Sequence, residues 1–212
     1  MQGHPGSGGV RACSRVEALP GPHVFLMYAF FLSAGVVALA EIGDKTQLLA
    51  LLLAARFRNP VAIGFGILIA TLANHALAAW IGTLAGGLLG GFWFHLVIAA
   101  SFVALGLWSL VPDRLEGVQL RQLGPFATTL IAFFLFEIGD KTQLATVALA
   151  AEYKSVPAVT VGSTLGLMAA NLPAVALGQA FAGRLPLRAL SLGAAAVFIG
   201  IGAWHFFRLL IP

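Results

Sequence analysis

The chain has 212 residues, 59% hydrophobic and only 9% charged, with a formal net charge of +4 and a mean hydropathy of +0.95. Soluble domains carry about 25% charged residues, so this chain lacks the polar surface to coat itself in water. That excludes ordinary soluble enzymes, nucleic-acid-binding domains and disulfide scaffolds; the single cysteine, Cys13, can form no internal bridge.

In chain order, residues 1–22 come first, rich in Gly, Pro, Ser and Arg. They read as a disordered tail, or as sequence upstream of a true start at Met27. A signal peptide is a third reading, because Arg11 and Arg15 precede an apolar run ending in Ala38-Leu39-Ala40. The internal repeat described below argues against cleavage there. Apolar stretches then predict six membrane-spanning helices near 25–56, 60–83, 91–111, 125–152, 156–182 and 188–210, at about 20 residues per crossing. No Asp, Glu, Lys or Arg occurs in the 54 residues between Arg58 and Asp113, room for two crossings and a turn. Further charge-free runs cover 155–183 and 189–207. Pro60 ends the first span after Arg58-Asn59, since proline resists helix continuation. Glycines 86–91 mark a tight turn, and Pro112 opens the longest loop. No ten-residue alternation suggests a β-barrel. The expected fold class is an all-α polytopic membrane protein.

Glu41-Ile42-Gly43-Asp44-Lys45-Thr46-Gln47-Leu48 recurs unchanged as Glu137-Ile138-Gly139-Asp140-Lys141-Thr142-Gln143-Leu144, 96 positions later. Pro60 and Pro157, Asn74 and Asn171, and Gly86 and Gly183 correspond at a spacing of 97. The chain therefore divides into residues 24–112 and 125–210, three spans each, joined by 113–124. An odd number of spans per repeat makes the second copy enter from the opposite side, giving two inverted three-helix repeats with a binding site near mid-membrane. Arg56, Arg58, Arg114, Arg121, Arg184 and Arg188 fall on one side; Lys154, Arg208, Arg11 and Arg15 fall on the other. The excess of basic residues makes the first side cytoplasmic, with both termini outside the cell (inner) membrane.

Four of the eight acidic residues lie in the two motifs. A carboxylate at the centre of a span costs about 2.5–3.5 kcal/mol on insertion scales and usually marks an ion or proton path. On a continuous helix, Glu41 and Asp44 share a face, as do Glu137 and Asp140. If the symmetry axis passes between the motifs, all four carboxylates converge. Such a site, rich in oxygen and free of sulfur and imidazole, suits a hard divalent cation. Four carboxylates and two lysines leave a charge of −2, which one divalent ion or two protons can neutralise.

Gly43 and Gly139 allow the backbone to bend or expose a carbonyl. Gln47, Gln143, Thr46 and Thr142 can extend the ligand set. Lys45 and Lys141 follow each Glu by four, a helical ion-pair spacing, and read as charge balance. Asn74 and Asn171 either join the ion site or hydrogen-bond between helices.

The duplicated E-x-G-D-[KR]-[ST] motif resembles that of a cation/proton exchanger family found in bacterial, Golgi and chloroplast membranes, uncharacterised protein family 0016. The resemblance covers 27–210, and both motifs match without departure. It implies exchange of Mn²⁺ or Ca²⁺ for protons, with Glu41, Asp44, Glu137 and Asp140 as the cation site, and manganese export in bacterial members. The family's central loop is often long and acidic; here 112–124 is short and charge-balanced.

The expected function is thus a secondary antiporter, with Mn²⁺ preferred and Ca²⁺ as the other candidate, driven by protons and needing no resident cofactor. The alternative is an exporter of an amino acid or other small solute built on a similar repeat. A membrane enzyme is disfavoured, because no nucleophile–base pair, phosphate cradle or CxxC appears. Assembly into a homo-oligomer stays open, and no nucleic-acid partner is expected. His75, His95 and His205 read as packing or interfacial residues. Trp80, Trp93, Trp108 and Trp204 read as interfacial anchors, and Gly64, Gly66, Gly162 and Gly166 as points of close helix packing.

Overall fold

A computed structural model describes residues 22–88, 91–111, 123–177 and 187–210. Every regular element among the described residues is a helix: α1 Pro22–Glu41, α2 Lys45–Phe57, α3 Pro60–Leu88, α4 Gly91–Trp108, α5 Pro125–Glu137, α6 Lys141–Tyr153, α7 Val156–Leu177 and α8 Leu187–Leu210. Among the described residues, five helical stretches are long and apolar enough to cross a bilayer: His23–Glu41, Pro60–Leu88, Gly91–Trp108, Val156–Leu177 and Ser191–Leu210. Large apolar side chains such as Phe31, Trp93, Leu135 and Trp204 are exposed, as in a protein whose outer solvent is lipid. The chain is a multi-pass helical membrane protein.

The predicted spans 25–56 and 125–152 are not continuous helices. Each is two helices, α1 with α2 and α5 with α6, divided at the repeated motif. The local chemistry accounts for both breaks. Gly43 and Gly139 take φ of +84° and +74°, the left-handed region that glycine adopts without a Cβ penalty. Asp44 and Asp140 follow in extended conformation and cap α2 and α6, each accepting a hydrogen bond from the backbone N–H two residues on, a role short acidic side chains favour. Glu and Asp of each motif therefore do not share a helical face as continuous spans would require. Both second segments also end alike, on Arg58 and Lys154 in left-handed conformation.

The second predicted span extends to Leu88, so Gly86 and Gly87 are helical rather than part of a turn. Trp80 consequently sits inside α3, whereas Trp93, Trp108 and Trp204 lie toward helix ends. Of the expected tail 1–22 and connecting loop 113–124, residues 1–21 and 113–122 fall outside the described residues, as do Gly183 and Arg184.

The two halves interleave. α1 packs on α7 while α5 packs on α3, and α3 packs on α6 while α2 packs on α7; α4 lies along α8. Glycine permits the closest approaches. A Cβ at Gly162 or Gly166 would strike the carbonyls of Phe30 or Ala34 in α1, and one at Gly82 or Gly86 those of Val147 or Ala151 in α6. Small residues four apart let membrane helices meet backbone to backbone. One apolar cluster joins Val36, Phe102, Leu149, Val159 and Phe198; a second joins Val37, Leu53, Ile67, Phe133 and Leu167.

Candidate cation site

The helix breaks bring the two motifs together. Lys45 Nζ lies 2.6 Å from Asp140 Oδ1, and Lys141 Nζ pairs with Asp44 Oδ1. Each lysine thus reaches the aspartate of the other copy, not the glutamate four residues before it. The helical Glu–Lys spacing fails because Glu41 and Glu137 end one helix while Lys45 and Lys141 begin the next. All four carboxylates are buried, and Glu41 lies within electrostatic range of Glu137 and Asp140.

Within each copy, one threonine links Glu and Asp. Thr46 Oγ1 donates to Glu41 Oε1 and lies 3.1 Å from Asp44 Oδ2. Thr142 Oγ1 lies 3.3 Å from both Glu137 Oε2 and Asp140 Oδ2. The glutamines brace the breaks: Gln47 Oε1 accepts from Gly43 N at 2.9 Å and Gln143 Oε1 from Gly139 N at 2.7 Å. Gln47 Nε2 also donates to the Ala170 carbonyl of α7 at 3.0 Å.

The asparagines differ. Asn171 Nδ2 donates to Glu41 Oε1 at 2.9 Å. Asn74 Nδ2 instead donates to the Phe134 carbonyl at 3.0 Å, near the end of α5. Several buried oxygens have no hydrogen-bond partner among the described residues: Glu41 Oε2, Glu137 Oε1, and Oδ1 of Asn74 and of Asn171. Unpartnered buried oxygen is costly in a dry interior, and such atoms are the donor type that hard cations take up.

One residue at this centre is not apparent from the motif. His75 is fully buried, with Nε2 3.8 Å from Glu137 Oε2. The surroundings are therefore not free of imidazole. His75 lacks a repeat partner, since Leu172 stands 97 positions on; its adjacency to Asn74 on α3 is the one signal in the sequence. His95 and His205 lie elsewhere, beside Glu152.

A many-spanning helical protein with a buried, ion-paired acidic centre between two interrupted helices has the design of a secondary transporter. The model of the divalent cation/proton antiporter GDT1 family matches residues 29–117 and 125–210. This chain belongs to that family. It is 46% identical over 188 residues to a Vibrio cholerae protein named "Putative manganese exporter", covering 88% of this chain and 93% of the other. It is 29% identical over 217 residues to GDT1-like protein 5 of Arabidopsis thaliana, covering 84% and 94%. It is 27% identical over 215 residues to GDT1-like protein 3 of Oryza sativa subsp. indica, covering 88% and 76%. No solved structure matches.

Proposed function

We propose that the protein exports a divalent cation, Mn²⁺ in preference to Ca²⁺, from the cytoplasm in exchange for protons. The observation carrying this reading is the crossed pairing of Lys45 with Asp140 and Lys141 with Asp44, which joins the two motifs into one buried centre. Glu41, Asp44, Glu137 and Asp140 are the proposed cation ligands, and Lys45 and Lys141 balance part of their charge. Four carboxylates and two ammonium groups leave a formal −2. A divalent ion cancels it; so do two protons.

Unpartnered oxygens of Glu41 and Glu137 support direct ligation by the glutamates. The unpartnered Oδ1 atoms of Asn74 and Asn171 are available to extend the shell. Thr46 and Thr142 orient the carboxylates, and Gln47 and Gln143 hold the breaks. Manganese tolerates a nearby imidazole better than calcium does, so His75 favours the Mn²⁺ reading, as does the Vibrio cholerae relative's name.

We read the architecture as six crossings in two inverted repeats, α1–α4 and α5–α8. The paired packing of α1 on α7 with α5 on α3 supports it. The excess of arginine on the Arg56 side supports a cytoplasmic position for that face and external termini in the cell (inner) membrane.

Metal-dependent proton flux in proteoliposomes tests the proposal. Mn²⁺ is expected to drive proton counterflow more effectively than Ca²⁺ or Mg²⁺. Absence of counterflow with all three ions overturns it.

A further inference from the structure

A second cluster of metal-ligating side chains lies apart from the repeated motif. His95 near the start of α4, Glu152 at the end of α6 and His205 near the end of α8 each present a donor atom, all within 4.8 Å of one another. His95 Nδ1 is 3.9 Å from Glu152 Oε2, and His205 Nδ1 is 3.8 Å from Glu152 Oε1. Glu152 Oε2 is buried with no hydrogen-bond partner among the described residues. The three residues line a cavity of about 310 Å³ with Arg208 and Leu209.

The scaffold fixes this cluster from three helices. His205 stacks on Phe102 with ring planes 4° apart, and Phe94 meets the His95 ring edge-on. Gly106 and Gly202 allow α4 and α8 to approach closely. The duplication does not account for it: at the repeat spacings of 96 or 97, Leu192 answers His95, Arg56 answers Glu152, and Trp108 answers His205. Among the described residues the cluster has no counterpart in the other repeat; it lies on the side of Lys154 and the end of α8.

We propose that His95, Glu152 and His205 form a second metal site, selective for a borderline divalent transition-metal ion such as Zn²⁺ over Ca²⁺ or Mg²⁺. Two imidazoles and one carboxylate match the three-ligand set of open zinc sites, in which water fills the remaining position. Metal–nitrogen bonds of about 2.0–2.1 Å require the donors to draw inward. Rotation of the half-exposed His95 and of the Glu152 carboxylate supplies that movement. Arg208 also lines the cavity, and its charge repels every divalent ion alike; the selectivity therefore rests on the two imidazoles, which suit transition-metal ions better than Ca²⁺ or Mg²⁺.

The test is a Co²⁺ titration of the purified protein in detergent, with Ca²⁺ in excess to occupy the proposed transport site at the repeated motifs. Visible absorption reports nitrogen ligation, and equilibrium dialysis counts bound Co²⁺. Wild type is expected to bind one nitrogen-ligated Co²⁺ that Zn²⁺ displaces and Ca²⁺ does not. His95→Ala and Glu152→Gln are expected to weaken it at least about tenfold, since even outer-shell changes cost that much. His95 is 47% exposed on its side chain, so its replacement loses little packing beyond the edge contact with Phe94 and keeps the test decisive. Unchanged Co²⁺ binding and spectrum in His95→Ala, or no nitrogen-ligated Co²⁺ in wild type, overturns the proposal.

Discussion

Lys141 reaches Asp44 across the molecule, so a cation from the second motif holds the residue that starts α2 in the first. The reciprocal pair, Lys45 with Asp140, has the same form but a wetter lysine: its side chain is 25% exposed against 6% for Lys141. The two motif copies are identical in sequence and differ in environment.

Breaking the drier pair costs more. Removing one member of a buried ion pair destabilises by about 3–5 kcal/mol, because the other charge is left uncompensated. Each substitution leaves a buried aspartate, but Lys45 is the more exposed lysine and its attraction for Asp140 the more weakened by its surroundings. Lys141→Met is therefore expected to lower the thermal unfolding midpoint in detergent further than Lys45→Met. Equal midpoints for the two variants contradict this ranking.

Asp44→Asn and Asp140→Asn remove the charge, and with it one partner of each crossed ion pair, while keeping the helix cap. Asparagine caps a helix about as well as aspartate, so both breaks are expected to persist. Metal-dependent proton flux in proteoliposomes is expected to drop at least about tenfold in each, the minimum expected for losing a ligand. Helical content by circular dichroism is expected to stay at the wild-type value. Full flux in both variants removes these carboxylates from the transport step.

The formal −2 of the centre predicts a pH dependence. If two protons replace one metal ion, raising the pH by one unit tightens apparent Mn²⁺ binding by up to about 100-fold in the range where the site is protonated, since ligation releases those protons. Lowering the pH weakens binding by the same factor. Binding isotherms at several pH values give the slope; a tenfold change per unit means one proton, and no change rules out competition at a shared site.

Glycine substitutions test the backbone contacts. Gly166→Ala directs a Cβ into the Ala34 carbonyl of α1, whereas Gly64→Ala meets the flexible end of Leu172 at 3.2 Å. Overpacking against an immovable neighbour costs about 1–3 kcal/mol. Gly166→Ala is expected to lower the unfolding midpoint, and Gly64→Ala to leave it nearly unchanged. The reverse order would show that α1 and α7 can separate at little cost.

Composition and charge spacing by themselves determined the membrane class, the helical content, the duplication and the four acidic residues. Scarcity of charge leaves lipid as the outer solvent, and polar residues repeated intact in an apolar chain signal shared chemistry. Tertiary structure decided how those residues meet. Helical periodicity put Lys45 beside Glu41, but Gly43 and Asp44 interrupt the helix, and the lysine goes to Asp140 instead. A pairing 95 positions apart in the chain leaves no local trace. The same holds for His75 against Glu137 and for Glu152 between His95 and His205: each contact joins side chains from different helices. Only the packing of those helices, set by where glycine lets backbones touch, brings them within reach.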